Sequence, residues 1–508
     1  MRFNYKILGL VMFIMLICCV SAASATDVDN MVVPDDTDAI EIDDAVDSVD
    51  EVELEKVDEI VSTEPVTVTD ENYGDYFDAD GYMTTTSDLT FTGNFTSKSF
   101  GNFKINNPVT ITAGEATFNN IGFDLLSRNI ILDGANFVYN TNDAYIYVYQ
   151  DNTVVQNLNL NLVAPEDEDF YGIFVDGASN VQILNNVINY TCNYHNPEYY
   201  NHVIRVVGGN NVTISRNNIT AYLPLKKVDF NQIFPSIYTD KVAGVAVQES
   251  SNFTFTYNKL QVNVSLNNTD FPTLDAFIIV GSDNAYIAHN TIIEIDNKTK
   301  PNNNNYLYAI DIYQCKDMHI DNNTIFLNST GGSVIPGTNN GTGAAYGIQL
   351  TGGYSGVVIS NNNIHTSNNG PNCGIYSQNF FGDTSLNITG NTIYVEGNAS
   401  TAHEWSLVTG MELQDTEAYI AGNTIIVYNK ETYTDGDNVY GISFSQYGNG
   451  VPTFEITNNT VEVINGKYAV YIQYSSESSA YENHLITDYY SGDNAVFDNG
   501  DIDIYDNY

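Results

Sequence analysis

Basic residues are scarce in this chain: 17 Lys and Arg stand against 63 Asp and Glu, a formal net charge of −46. Without a basic groove to neutralise phosphates, nucleic acid is excluded as a partner, and anionic lipid with it. Tryptophan occurs once, at Trp405. Of five cysteines, Cys18 and Cys19 lie in an N-terminal apolar run, and Cys192, Cys315 and Cys373 are too few and too far apart for a disulfide framework. No window carries a sustained apolar pattern at three-four spacing, and Asn, Gly, Thr and Tyr are poor or middling helix formers, so a helical fold is excluded. Asn-Gly and Asp-Gly dipeptides hold no fixed place, which excludes a regular series of hairpins. Zinc-ligand spacing, a nucleophile elbow and a phosphate-binding Gly loop are also missing.

What the chain does have is a six-residue phrase: an apolar residue, two variable ones, Asn, one more, then an aliphatic. It runs Ile183…Asn186…Ile188, then through Asn217, Asn258, Asn290, Asn323, Asn362, Asn391 and Asn423 to Ile456…Asn459…Val461. The Asn-to-Asn spacing is elastic, which marks a coiled solenoid with variable loops. About ten residues earlier stands a second phrase, small–aliphatic–any–apolar, as in Gly172-Ile173-Phe174-Val175 and Gly410-Met411-Glu412-Leu413. Its alternation is strand periodicity. Two phrases and the stretch after the Asn give three short strands per repeat. The fold expected is therefore all-β, a parallel β-helix of about 12–13 three-strand coils. The recurrent Asn forms a structural ladder in one turn and tolerates left-handed backbone angles there. A degenerate coil carries Asn157, and a last one Asn483.

Residues 1–25 read as a secretory signal peptide: Arg2 and Lys6 precede an apolar run from Ile7 to Val20, which ends at Ala23-Ser24-Ala25. Residues 26–80 hold 21 acidic residues against Lys56 alone, the composition of a disordered stalk. An N-terminal cap and opening coils are expected over 81–140, the β-helix over 141–490 and a C-terminal cap over 491–508. N-x-S/T sequons are frequent, among them Asn94, Asn189, Asn211, Asn252, Asn322, Asn387 and Asn458; several overlap the ladder phrase, where burial would block glycosylation.

Placed in register, the outward residue of the second phrase runs Phe174, Arg205, Ala246, Ile278, Asp311, Gln349, Tyr376, Glu412, Ser443, Tyr471. Asp311 and Glu412 are three coils apart, roughly 14 Å at this pitch, whereas glycoside hydrolysis needs carboxylates about 5–9.5 Å apart. Arg205 is the candidate for a carboxylate anchor or an eliminating base, with His202 and Arg216 in its coil, inserts at 193–201 and 221–240 as walls, and Asp311 as its complement. Asp78 and Asp80 form a fragment of a Ca²⁺ loop that lacks the following Glu, so loosely bound Ca²⁺ is the cofactor expectation and no other cofactor is expected. Trp405, Tyr199 and Tyr200 are candidates for glycan contact, and further tyrosines cluster at Tyr145, Tyr147 and Tyr149 and at Tyr468, Tyr471 and Tyr474.

The stretches Asn72-Tyr73-Gly74-Asp75-Tyr76-Phe77 and Leu89-Thr90-Phe91-Thr92-Gly93-Asn94-Phe95, the strand Pro108-Val109-Thr110-Ile111-Thr112 and the repeated Asn phrase resemble the adhesin-like surface proteins of methanogenic archaea. Those belong to the pectate-lyase-like right-handed parallel β-helix superfamily. The resemblance implies a secreted, cell-surface protein, non-enzymatic, that binds glycans or partner-cell surfaces. No C-terminal wall-binding or membrane-anchoring module precedes Tyr508, which leaves attachment open. The alternatives are a lyase or epimerase of acidic polysaccharide with its site near Arg205, and a rigid surface spacer without a ligand.

Overall fold

The computed structural model describes residues 64–140, 145–166, 168–193, 199–224, 226–227, 242–266, 272–297, 305–330, 343–379, 385–399, 407–432, 438–445, 453–475, 477–499 and 502–508. The signal peptide and all but the end of the acidic stalk lie outside these residues, as does Trp405. Apart from two short 3₁₀ turns, Tyr73–Asp75 and Gly492–Ala495, the regular elements are strands, and no helix among the described residues is long and apolar enough to cross a membrane.

The strands wind into a right-handed parallel β-helix. Each full coil contributes one strand to each of three faces: a first sheet before the Asn (Gln182–Leu184 and its counterparts), a second after it (Val187–Thr191) and a third on the small–aliphatic phrase (Phe170–Asp176). The third sheet is a path of 14 strands, from Phe103–Ile105 to Val496–Asp498. Eleven of them fall between Ile146 and Ile472, two open the stack and one closes it. In the first coils the first and second faces are single long strands, Leu89–Thr96, Thr110–Asn119, Ile131–Asn140 and Val154–Val163. Order begins earlier than the expected boundary at residue 81, because Val66–Val68 pairs with Leu89–Phe91 and Phe77 and Met83 are buried beneath the opening coils.

The aliphatics of the Asn phrase face inward, as their period requires. Ile183, Ile214, Phe255, Ile287 and Ile320 stack in register on one face and Ile188, Ile219, Leu260, Ile292 and Ile325 on the next, all with no exposed surface. Each such side chain contributes about 1.5–3 kcal/mol by burial. The small residue of the other phrase has a different cause. A Cβ at Gly410 would stand 2.3 Å from Ile425 Cγ2 and 2.6 Å from the Gly441 carbonyl, and Gly374 and Gly441 are enclosed in the same way. Register pairing skips that residue.

The Asn ladder is continuous. Asn186, Asn217, Asn258, Asn290, Asn323, Asn362, Asn391, Asn423 and Asn459 each donate from Nδ2 and from the backbone N–H to the next Asn Oδ1, at 2.9–3.2 Å. The chain of bonds passes on through Asn483 to Asn507, where Asp493 Oδ1 receives the last amide at 2.7 Å. Two expectations need correction. The left-handed residue is the one before the ladder Asn: Asn185, Arg216, Tyr257, His289, Asn322, Asn361, Gly390, Gly422, Asn458, Glu482 and Asp506 all have φ between 52° and 65°. The ladder Asn is occupied by its hydrogen bonds, and the turn places its reversed dihedral one step upstream. Asn157 belongs to that upstream position too, with φ 58°, and the ladder slot in its coil is Leu158, whose N–H caps Asn186 Oδ1.

Candidate functional site

The outward face of the third sheet carries the chemistry. Strand register places Lys104, Asp124, Tyr147, Phe174, Arg205, Ala246, Ile278, Asp311, Gln349, Tyr376, Glu412, Ser443, Tyr471 and Phe497 in one column. A second column three residues earlier runs Tyr171, His202, Ala243, Asp275, Tyr308, Tyr346, Cys373, Thr409, Tyr440, Tyr468. The order read from the sequence matches the first column residue for residue. Asp311 and Glu412 are separated by Gln349 and Tyr376, so these two carboxylates do not pair.

Arg205 sits in an aromatic box. Its guanidinium carbon lies 4.4 Å from the Tyr200 ring centre, 5.4 Å from Tyr171 and 5.5 Å from Phe174, and Nη1 donates to the Tyr171 hydroxyl at 3.1 Å. Tyr171 in turn donates to Asp169 Oδ2 at 3.4 Å, and Asp169 Oδ1 accepts the Tyr200 backbone N–H at 2.7 Å. Burial holds the Tyr171 hydroxyl above its ordinary pKa, against the opposing pull of Arg205. His202 is fully buried beside the Tyr171 and Tyr200 rings. The tyrosines of the preceding coil continue this surface: Tyr147 packs on Tyr149 at 3.9 Å and on Phe174 at 4.6 Å. Tyr200, the Tyr145–Tyr149 cluster and the arginine, picked out separately in the sequence, are thus one patch. Arg216 lies in the following turn of the same coil, as expected, at the corner between the first and second sheets and over the Tyr257 ring, and Asp311 stands three coils from Arg205, within the expected two or three, beyond Ala246 and Ile278.

Those intervening outward residues form a small apolar cluster of Ala243, Ala246, Ile278 and Val280 with Tyr313 against it. Asp275 is fully buried in the same coils, and neither carboxylate oxygen has a hydrogen-bond partner. Beyond it, Tyr308 and Tyr346 are stacked at 5.3 Å and Tyr346 meets Tyr376 at 5.2 Å. Gln349 Nε2 donates to Asp311 Oδ1 at 3.2 Å, and Gln414 Nε2 to Glu412 Oε1 at 2.6 Å. Burial pushes the Glu412 carboxyl up to about 7, with the Gln414 bond opposing the shift. Sequence reasoning missed Asp169, Tyr171, Asp275, Tyr308 and Tyr346. The position three before the outward residue of the phrase would have found the last four.

Asp78 is committed to its own turn, its Oδ1 accepting the N–H groups of Asp80 and Tyr82, while the Asp80 carbonyl accepts Lys104 Nζ. Among the described residues, no group of three or more His, Cys, Asp or Glu is arranged to hold a metal ion. Cys192, Cys315 and Cys373 are all buried. The sequon asparagines Asn94, Asn189, Asn211, Asn252, Asn322, Asn387 and Asn458 are all exposed, which corrects the expectation of burial: the ladder Asn is buried and its sequon neighbour points outward.

No protein-family model matches the sequence, and no curated protein matches it. Among solved structures, the chain is similar to the periplasmic alginate epimerase AlgG (9% identity, 83% of this chain and 82% of that one, TM-score 0.40). It is likewise similar to PfbA, a surface adhesin of Streptococcus pneumoniae (13%, 69% and 85%, 0.40), and to the Dettilon tailspike protein (13%, 82% and 66%, 0.38).

Proposed function

We propose that this protein is an adhesin-like, non-enzymatic β-helix of the extracellular surface that binds carbohydrate along the outward face of its third sheet. One observation carries the reading: the face is lined through successive coils by tyrosines and by hydrogen-bonding Asp, Glu and Gln side chains, while Asp311 and Glu412 stand three coils apart. Tyrosine offers rigid, half-polar contact area, and amides and carboxylates fix hydroxyl groups. The likeness to a surface adhesin and to a tailspike is compatible with such a surface, and the likeness to an epimerase keeps the enzymatic alternative in view.

Arg205 is the residue on which that alternative turns. Its guanidinium is spent on three rings and a phenol, an arrangement suited to anchoring rather than to removing a proton from a sugar ring. The deciding experiment incubates the purified protein with a panel of polyuronides and reads unsaturated-sugar absorbance and epimer content, in parallel with carbohydrate-array and cell binding. Binding without turnover is the expected result. Turnover that disappears in Arg205→Ala would replace this reading with a lyase or epimerase, and absence of binding to any carbohydrate or cell would leave a surface spacer.

A further inference from the structure

We infer that the strip of the third sheet between Tyr308 and Gln414 takes an uncharged carbohydrate chain, an inference that rests on the glycan-binding reading and narrows it. Three consecutive coils present Tyr308, Tyr346 and Tyr376, each partly exposed, packed against one another at 5.3 Å with 5° between ring planes and at 5.2 Å with 58°. Held by their neighbours, these rings lose little freedom when a ligand arrives. Beside them runs a row of carboxylates and primary amides. Gln349 donates to Asp311, both partly exposed, and the Tyr376 hydroxyl donates at 3.4 Å to Oε1 of Gln414, which is buried together with its partner Glu412. An acceptor and a donor side by side are the complement of adjacent sugar hydroxyls. One coil rises about 4.8 Å, close to the length of one hexose in an extended chain, so successive sugars of a polysaccharide lying along the stack would meet successive coils.

Charge selects among such chains. The outward residues of the strands Tyr306–Tyr313, Ala345–Gly352, Asn372–Asn379, Leu407–Gln414 and Asn438–Ser445 include Asp311 and Glu412 and not one Lys or Arg. A uronate or sulfated chain would meet the partly exposed Asp311 carboxylate with no cation in the strip to offset it, and like-charge juxtaposition is how an interface rejects a wrong partner. Arg205, the cation of the outward column nearest to Asp311 in register, is three coils away and covered by rings.

The test compares neutral hexose oligosaccharides with hexuronate oligosaccharides of equal length, by array and by titration calorimetry, on the whole protein. The neutral series is expected to bind more tightly. Tyr346→Ala should weaken it about tenfold, as loss of a central aromatic contact does; Tyr346→Phe keeps the packing and separates ring from hydroxyl. Asp311→Asn should raise the ratio of hexuronate to neutral binding at least about threefold. Arg205→Ala should leave neutral binding within about twofold. Neutral binding lost in Arg205→Ala but untouched in Tyr346→Ala overturns the strip and leaves the carbohydrate reading standing. A preference for hexuronates by the unaltered protein also overturns it, and no carbohydrate binding of any kind overturns both.

Discussion

A left-handed backbone is costly to every residue with a Cβ except where Asn or Gly occupies it, yet this chain imposes it on Arg216, Tyr257, His289 and Glu482 at the corner before the ladder. The turn wins because the residue that follows is fixed by its bonds to the coils on either side. Contact between rings recovers part of the cost: Tyr257 and His289 are stacked at 4.9 Å, and Arg216 lies over Tyr257. Gly422 isolates the dihedral effect, since a Cβ there would meet nothing within 4 Å. Gly422→Ala should therefore destabilise by about 1 kcal/mol and Gly422→Asn by only a few tenths, measured as shifts in the urea midpoint. A Gly422→Ala protein with an unchanged midpoint would mean that the corner relaxes.

At the scale of the element, the second sheet holds an anomaly. Glu294 occupies an inward position between Val262 and Leu327 in register; it is fully buried, and neither carboxylate oxygen has a hydrogen-bond partner. Burial, with the neighbouring Asp296 second, raises its pKa well above the carboxylate range. A raised carboxyl keeps its proton in the folded chain, so the penalty is absent at acid pH and grows as pH climbs above the unfolded value near 4.3. Glu412 adds a similar penalty between about 4.5 and 7. The melting temperature should fall from pH 4 to pH 8, and Glu294→Leu should gain about 2 kcal/mol at pH 8 and much less at pH 4. A Glu294→Leu melting curve displaced equally at both pH values would show the carboxyl to be solvated. The ladder gives the opposite case. Asn323→Ala would strip two donated and two accepted side-chain bonds and orphan the Asn290 N–H, for a loss of about 3 kcal/mol by thermal melt.

At the scale of the molecule, what was legible in the sequence is what repeats. Every copy of Ile-x-x-Asn-x-Ile imposes the same inward pair and the same buried amide, so the coil, its register and the outward column follow from repetition. The rest depends on residues in different coils. Nothing in the phrase around Arg205 indicates Tyr171 beneath it or the Tyr200 ring over it, because those contacts form only once the coils on either side are stacked. Asn157 misled because Asn serves two adjacent slots of one corner, and a long strand without the ladder residue can still place Asn in the left-handed one. The strong net negative charge acts on the whole stack: screening should raise the melting temperature by a few degrees as the Debye length falls from about 30 Å to about 8 Å between 0.01 M and 0.15 M salt. A midpoint independent of salt would show that local pairing already balances the repulsion.

The ladder also has a direction. Every Asn gives its two N–H groups toward the C-terminal side and receives with its oxygen from the N-terminal side, while its Nδ2 reaches back to a carbonyl of the preceding coil, as Asn217 does to Ile183. A stack halted at any coil therefore exposes a backbone N–H and an amide N–H that await one oxygen, and the next Asn to leave the ribosome or the translocon brings that oxygen together with the amide that reaches back. The finished edge is a template for the coil still to come, so the molecule is built to zip vectorially, from Asn186 toward Asn507.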